Sequence, residues 1–135
     1  MLIDLLIHLS HLLSAQLLSK EEASTKRSTA IVYALLKDIN RNYAEKFSSR
    51  LIESRYGGNF DYINRVFKKE TGHTVFSYLN TVRIARAKAL LISGNLPVNV
   101  VARLVGFDDI YYFSNRFKKH TGFSPTQYRK VVSLE

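Results

Sequence analysis

The chain has 135 residues, 46% of them apolar, no cysteine, and a net charge of +9 from 20 basic and 11 acidic side chains. The absence of cysteine excludes disulfides, thiolate metal sites and cysteine nucleophiles, and fits a reducing cytoplasm. The charge is uneven: residues 48–135 hold 14 basic and 6 acidic side chains, net +8, against 6 and 5 in residues 1–47, so the excess that points to a polyanion lies in the later part of the chain.

Met1–Leu18 reads as a helix, with Leu2, Leu6, Leu9, Leu13 and Leu17 at spacings of three and four and Leu5 and Leu12 widening the stripe. Asp4, His8, Ser10, His11, Ser14 and Gln16 interrupt it and its start is not basic. Neither a membrane span nor a signal peptide is expected. So much leucine needs a partner, and a homodimer through residues 1–18 is one expectation. The His8–His11 pair is read as part of that interface rather than as a metal site. Ser19–Ser28 is polar without apolar periodicity and reads as a linker.

Thr29–Lys46 reads as a helix with Ile31, Leu35, Ile39 and Tyr43 in one stripe, widened by Val32 and Leu36. A short helix over Ser48–Tyr56 breaks at Gly57-Gly58. Asn59 is a good N-cap for the next, Phe60–Thr71, which stops at Gly72. Thr74 caps a longer helix, Val75–Ser93, whose inner face is expected from Val75, Leu79, Val82, Ala85 and Ala89-Leu90. Pro97 opens a short helix that ends at Gly106, Asp108 or Asp109 caps Ile110–Thr121, and Ser124-Pro125 starts a last helix to about Val132. No strand is expected.

The hexamer Phe67-Lys-Lys-Glu-Thr-Gly72 returns fifty residues later as Phe117-Lys-Lys-His-Thr-Gly122. At the same shift Ile63 meets Phe113, Tyr78 meets Tyr128 and Leu51 meets Val101. The repeated unit is a short helix, a glycine turn and a second helix with a basic end, which is the pattern of a helix-turn-helix. The fold class is therefore all-α: two helix-turn-helix subdomains (about 48–72 and 97–122) joined by a long connecting helix (about 75–93), plus the N-terminal leucine-rich helix. Residues 1–28 are set apart from a domain over 29–132. In a DNA-bound unit of this kind the second helix enters the major groove. Lys68, Lys69, Lys118 and Lys119 then neutralise phosphates, or else only offset the helix C-terminal dipole.

The second unit, Val100–Arg129, strongly resembles the DNA-binding signature of AraC/XylS-type bacterial transcription regulators. The match lies in Ala102, Gly106-Phe107, Tyr112-Phe113-Ser114, Phe117-Lys118-Lys119, Gly122, Ser124-Pro125 and Tyr128-Arg129. The connecting stretch Tyr78–Leu91 matches as well, and the resemblance covers about Thr29–Val132. The first unit departs from the pattern, with Leu51-Ile52 where the family often has Leu-Ala and an extra glycine in its turn. The resemblance implies a bacterial, cytoplasmic regulator that binds double-stranded DNA in two consecutive major grooves and activates genes through RNA polymerase, without a cofactor. Many members also carry a sensor or dimerisation domain. Met1–Leu18 resembles the end of one, so a fragment is expected, with Leu134-Glu135 as a vector-derived tail; a naturally short regulator is the alternative.

On the exposed faces of the two recognition helices, Tyr62, Asn64, Arg65, Ile110, Tyr111, Ser114 and Asn115 are expected to read bases. Arg65 can fork onto guanine, Asn64 onto adenine, and Ile110 can meet a thymine methyl. Lys68, Lys69, Arg116, Lys118 and Lys119 are expected on the DNA backbone. Asp61 is read as favouring its helix N-terminus, and Tyr112 as structural or touching a phosphate. Arg83 and Arg86 either brace the two lobes through a carboxylate or reach a phosphate, with bracing favoured for Arg83. No phosphate loop, nucleophile motif or carboxylate pair suggests an enzyme. A helical protein-interaction module and a nonspecific DNA-binding module are the alternatives.

Overall fold

The computed structural model describes residues 2–133, including the side chains of 3–17 and 19–133. Among them every element is a helix: α1 (Leu2–Asn42), α2 (Ser49–Tyr56), α3 (Phe60–Thr71), α4 (Val75–Ser93), α5 (Val98–Leu104), α6 (Ile110–Thr121) and α7 (Pro125–Ser133). The Leu134-Glu135 tail lies outside the described residues.

The linker expected over Ser19–Ser28 is helical, and the two helices read on either side of it are one helix, α1. The stretch lacks an apolar stripe because it covers no core there, not because it resists helix. It contains no glycine or proline, its Glu22 and Lys26 stand in the favourable i, i+4 order, and Ser28 Oγ donates back to Ser24 O at 2.9 Å.

Two cores lie along the molecule. The first is formed by Val32, Leu35 and Ile39 of α1, Ile52 of α2, Ile63 and Phe67 of α3, and Val75 and Leu79 of α4. The second takes Ile84, Ala87 and Leu91 of α4 with Val101, Ala102, Val105, Phe107, Phe113 and Phe117. The connecting helix α4 therefore serves both. Leu79 and Ile84 are five residues apart, about 140° around the helix, so α4 turns a different face to each lobe. This corrects the single inner face expected for it: Ala85 and Ala89 are exposed, and Ile84, Ala87 and Leu91 are buried instead.

Arg83 braces the two lobes. Arg83, buried on α4, donates from Nε to Tyr43 O at 2.7 Å and from Nη2 to Glu45 O at 2.8 Å. Its guanidinium also lies over the Phe107 ring, 5.5 Å from the centroid. Arg83 is thus a brace, but through the carbonyls of the α1–α2 loop rather than through a carboxylate. Tyr43 packs against both cores and carries the Arg86 guanidinium 5.3 Å from its ring centroid.

Candidate nucleic-acid interface

The two recognition helices are built alike. The N-cap of α3 is Asn59, whose Oδ1 accepts from Asp61 N at 2.7 Å. That of α6 is Asp109, whose Oδ1 accepts from Tyr111 N at 2.8 Å. Each helix buries an aromatic one turn from its end, Phe67 and Phe117, together with the residue one turn earlier, Ile63 and Phe113. Each stops at a glycine in the left-handed region, Gly72 (φ 81) and Gly122 (φ 84), which a side chain would strain. The Thr71 and Thr121 hydroxyls accept from His73 N and Phe123 N, both at 3.1 Å.

In the repeated hexamer phenylalanine fills the core and threonine and glycine close the helix; the one position that differs is Glu70, which accepts from Thr29 Oγ1 at 3.2 Å, against His120, and the two lysines remain. Lys68, Lys69, Lys118 and Lys119 are all exposed. They stand in the last turns of α3 and α6, where they favour the helix C-terminal dipole, and their exposure in both units is also consistent with phosphate contact.

Arg65, Tyr111 and Asn115 are exposed, Ile110 stands at the margin, and Ser114 is half-buried. Arg65 lies against the Tyr62 ring at 5.7 Å. Arg116 is half-buried over the Tyr112 ring at 5.3 Å, so its stem is held against α6.

Two expected reading residues sit elsewhere than on the open face. Tyr62 packs against the first core, and its hydroxyl is 2.8 Å from Ser28 Oγ of α1. Asn64 is half-buried, and its Oδ1 accepts from Val75 N at 2.9 Å, at the start of α4. Forking onto adenine needs the amide oxygen and nitrogen together, and the bond to Val75 N holds this amide toward the start of α4. In the second unit the residue at the Val75 position is Pro125, which has no N–H to satisfy, and Ser114, at the Asn64 position, is released.

Three positioning residues carried no signal in the periodicity. Asn80, buried on α4, donates to the Tyr112 hydroxyl at 3.1 Å, so each recognition helix is tied by the same-position tyrosine to the long helix before it. Arg129 donates from Nη2 to Leu96 O and from Nε to Leu91 O, closing the end of α4. Asp38 on α1 accepts from Arg55, Tyr56 and Asn42 and fixes the end of α2. Only the Tyr-Arg pair of the family signature pointed to Arg129; no spacing rule marks Asn80 or Asp38.

Burial raises the Asp38 carboxyl, but the hydrogen bonds from Asn42, Tyr56 and Arg55 outweigh it and hold it below the ordinary aspartate value. Burial and Asp38 push the Tyr56 hydroxyl up to about 12, so it stays a donor. At the end of α6, partial burial and then Arg116, Lys119 and Lys88 lower His120, which marks a concentration of positive charge there.

A family model described as a helix-turn-helix domain matches residues 55–131. The uncharacterized HTH-type transcriptional regulator YisR of Bacillus subtilis is 38% identical over 95 residues, 70% of this chain and 33% of that protein. The C-terminal domain of AraT, a response regulator from Geobacillus stearothermophilus, is similar with a TM-score of 0.71 and 31% identity, over 75% of this chain and 84% of that one. The DNA-binding domain of AdpA, a global transcriptional factor, solved in complex with a target DNA, shares the fold at a TM-score of 0.71 and 23% identity, over 76% of this chain and 93% of that one. Two helix-turn-helix units on a shared connecting helix are the architecture of a DNA-binding transcription regulator. The chain belongs to the AraC-type family of these regulators and carries its sequence-specific DNA-binding domain. It spans less than half the length of the curated relatives it matches. Among the described residues no helix is long and apolar enough to cross a membrane.

Proposed function

We propose that this chain binds an asymmetric promoter site as a single polypeptide, with α3 and α6 in successive major grooves about one helical turn, roughly 34 Å, apart. The observation that carries the proposal is the repetition of one helix frame in α3 and α6 with different exposed side chains. Arg65 reads bases in one half-site; Tyr111, Ser114, Asn115 and Ile110 read them in the other. Lys68, Lys69, Arg116, Lys118 and Lys119 hold the backbone. Tyr62 and Asn64 orient α3 rather than read. The test is base preference measured for single variants. Arg65→Ala should relax one position in one half-site and Asn115→Ala one position in the other. A uniform loss over all sequences in both would make these residues backbone contacts and remove the reading role.

A second element of the reading is self-association through residues 1–18. Ile3, Leu6, Leu9, Leu13 and Leu17 of α1 are all exposed, and leucines on so much of one helix need cover. Solution mass with and without residues 1–28 tests it: loss of a dimer on truncation supports it, and a monomer in both forms rejects it. A cytoplasmic location and contact with RNA polymerase complete the proposal, and transcription from the selected site in a purified system tests the latter.

A further inference from the structure

The continuity of α1 creates a feature that a linker would not. Its turns at 20–31 run beside the glycine turn of the first helix-turn-helix and leave a cleft of about 760 Å³ lined by Lys20, Ser24, Arg27, Gly57, Gly58 and Tyr62, among others. Lys20, Ser24, Arg27 and Ile31 follow one another at spacings of four, three and four, so one stripe of α1 faces the turn. Both cations are exposed, and among the described residues neither has an ion-pair partner. A Cβ on Gly57 or Gly58 would meet nothing within 4 Å, so the backbone of the turn is uncovered on that side.

The turn leads into Asn59 and the N-terminus of α3, the end of a recognition helix that approaches the bases. A cleft beside it lies where a groove wall passes. Its two cations are rooted two helical turns apart, about 10 Å along α1, and their long side chains can each take a separate phosphate of one strand. We propose that Lys20 and Arg27 of α1 form an additional DNA-backbone clamp, which holds the phosphates flanking the half-site read by α3. The second unit has no equivalent: fifty residues after Lys20 and Arg27 stand Glu70, at the end of α3, and Ser77, in the first turn of α4, and neither is a cation. The clamp compensates for the two α3 side chains, Tyr62 and Asn64, that are turned to the protein. This inference rests on the DNA-binding reading proposed above.

The experiment measures affinity against salt for the selected duplex with the wild type, with Lys20→Ala/Arg27→Ala, and with Lys26→Ala. Lys26 lies outside this cleft, on another face of α1 about 100° from Arg27, beside Tyr33 and Lys37. Alanine keeps the helix, so a folded protein is expected in each case. Two lost phosphate contacts reduce the slope of log K against log salt by about 1.8, a loss of affinity between 50 and 200 mM salt about twelvefold smaller than for the wild type. Lys26→Ala should leave the slope as it is. Trimming the duplex at the outer edge of the α3 half-site should abolish the difference between wild type and double variant. An unchanged slope in the double variant, or an equal change in Lys26→Ala, overturns the clamp while leaving DNA binding intact. A wild type that binds no duplex overturns the underlying reading instead.

Discussion

A Cβ on residue 106 would stand 2.9 Å from Arg83 Nε and 2.9 Å from Tyr43 O, so the brace between the lobes exists only because that residue is glycine. Gly106 also holds φ 104, where an L side chain is strained. Gly106→Ala is expected to destabilise by about 2–4 kcal/mol through strain and displacement of the arginine. Arg83→Met leaves the Tyr43 and Glu45 carbonyls without their donor and should cost about 2–4 kcal/mol. Because both changes break one contact, the double variant should cost less than the sum by more than about 0.5 kcal/mol. Urea denaturation of the four proteins checks this, and strict additivity would separate the glycine from the brace.

Helix boundaries were largely legible in the sequence because caps and glycine stops are local chemistry. Asn59, Thr74 and Asp109 cap as expected, and Gly72 and Gly122 stop their helices. Ser19–Ser28 was not legible, since missing apolar periodicity marks missing cover rather than missing helix. The inner face of α4 was misread because one helix serves two cores at different angles. In the candidate site, Arg65, Tyr111 and Asn115 face outward as expected. Tyr62 and Asn64 do not, because their partners, Ser28 Oγ and Val75 N, are distant in sequence and depend on how α1 and α4 cross α3.

The Asn64–Val75 contact has its own test. Asn64→Ala should lower stability by about 1 kcal/mol, as the loss of a helix cap does, and leave base preference unchanged. Adding Val75→Pro removes the N–H that Asn64 satisfies and copies Pro125 of the second unit. Thr74 already has an extended backbone, φ −67 and ψ 160, that a following proline accepts. Because Val75 is also buried in the first core, the comparison is made within each background: Asn64→Ala should cost less in Val75→Pro than in the wild type in thermal denaturation. A shifted base preference in Asn64→Ala alone would return that residue to the reading face.

Acid should weaken the α1–α2 junction. The Asp38 carboxyl is held below its ordinary value of 3.8 in the folded protein. Its contribution is therefore complete above the unfolded value and is lost as pH falls through the folded one. Asp38→Asn should cost about 1–2 kcal/mol near neutral pH. The gap from wild type should be constant above about pH 5 and close below about pH 4. Denaturation midpoints across that range check the sign; a gap that widens in acid would contradict it.

Lys118→Ala should lower the slope of log K against log salt by about 0.9 with little change in which sequence is preferred. A changed preference would make Lys118 a reading residue, and an unchanged slope would take it out of the interface.

The central claim is that one chain reads two half-sites through α3 and α6. Selection of bound duplexes from a random pool at physiological salt, followed by sequencing, tests it most directly. The expected result is a bipartite motif with two different halves centred about 10–10.5 base pairs apart. Enrichment of a single half-site, or tight binding without enrichment, would contradict it.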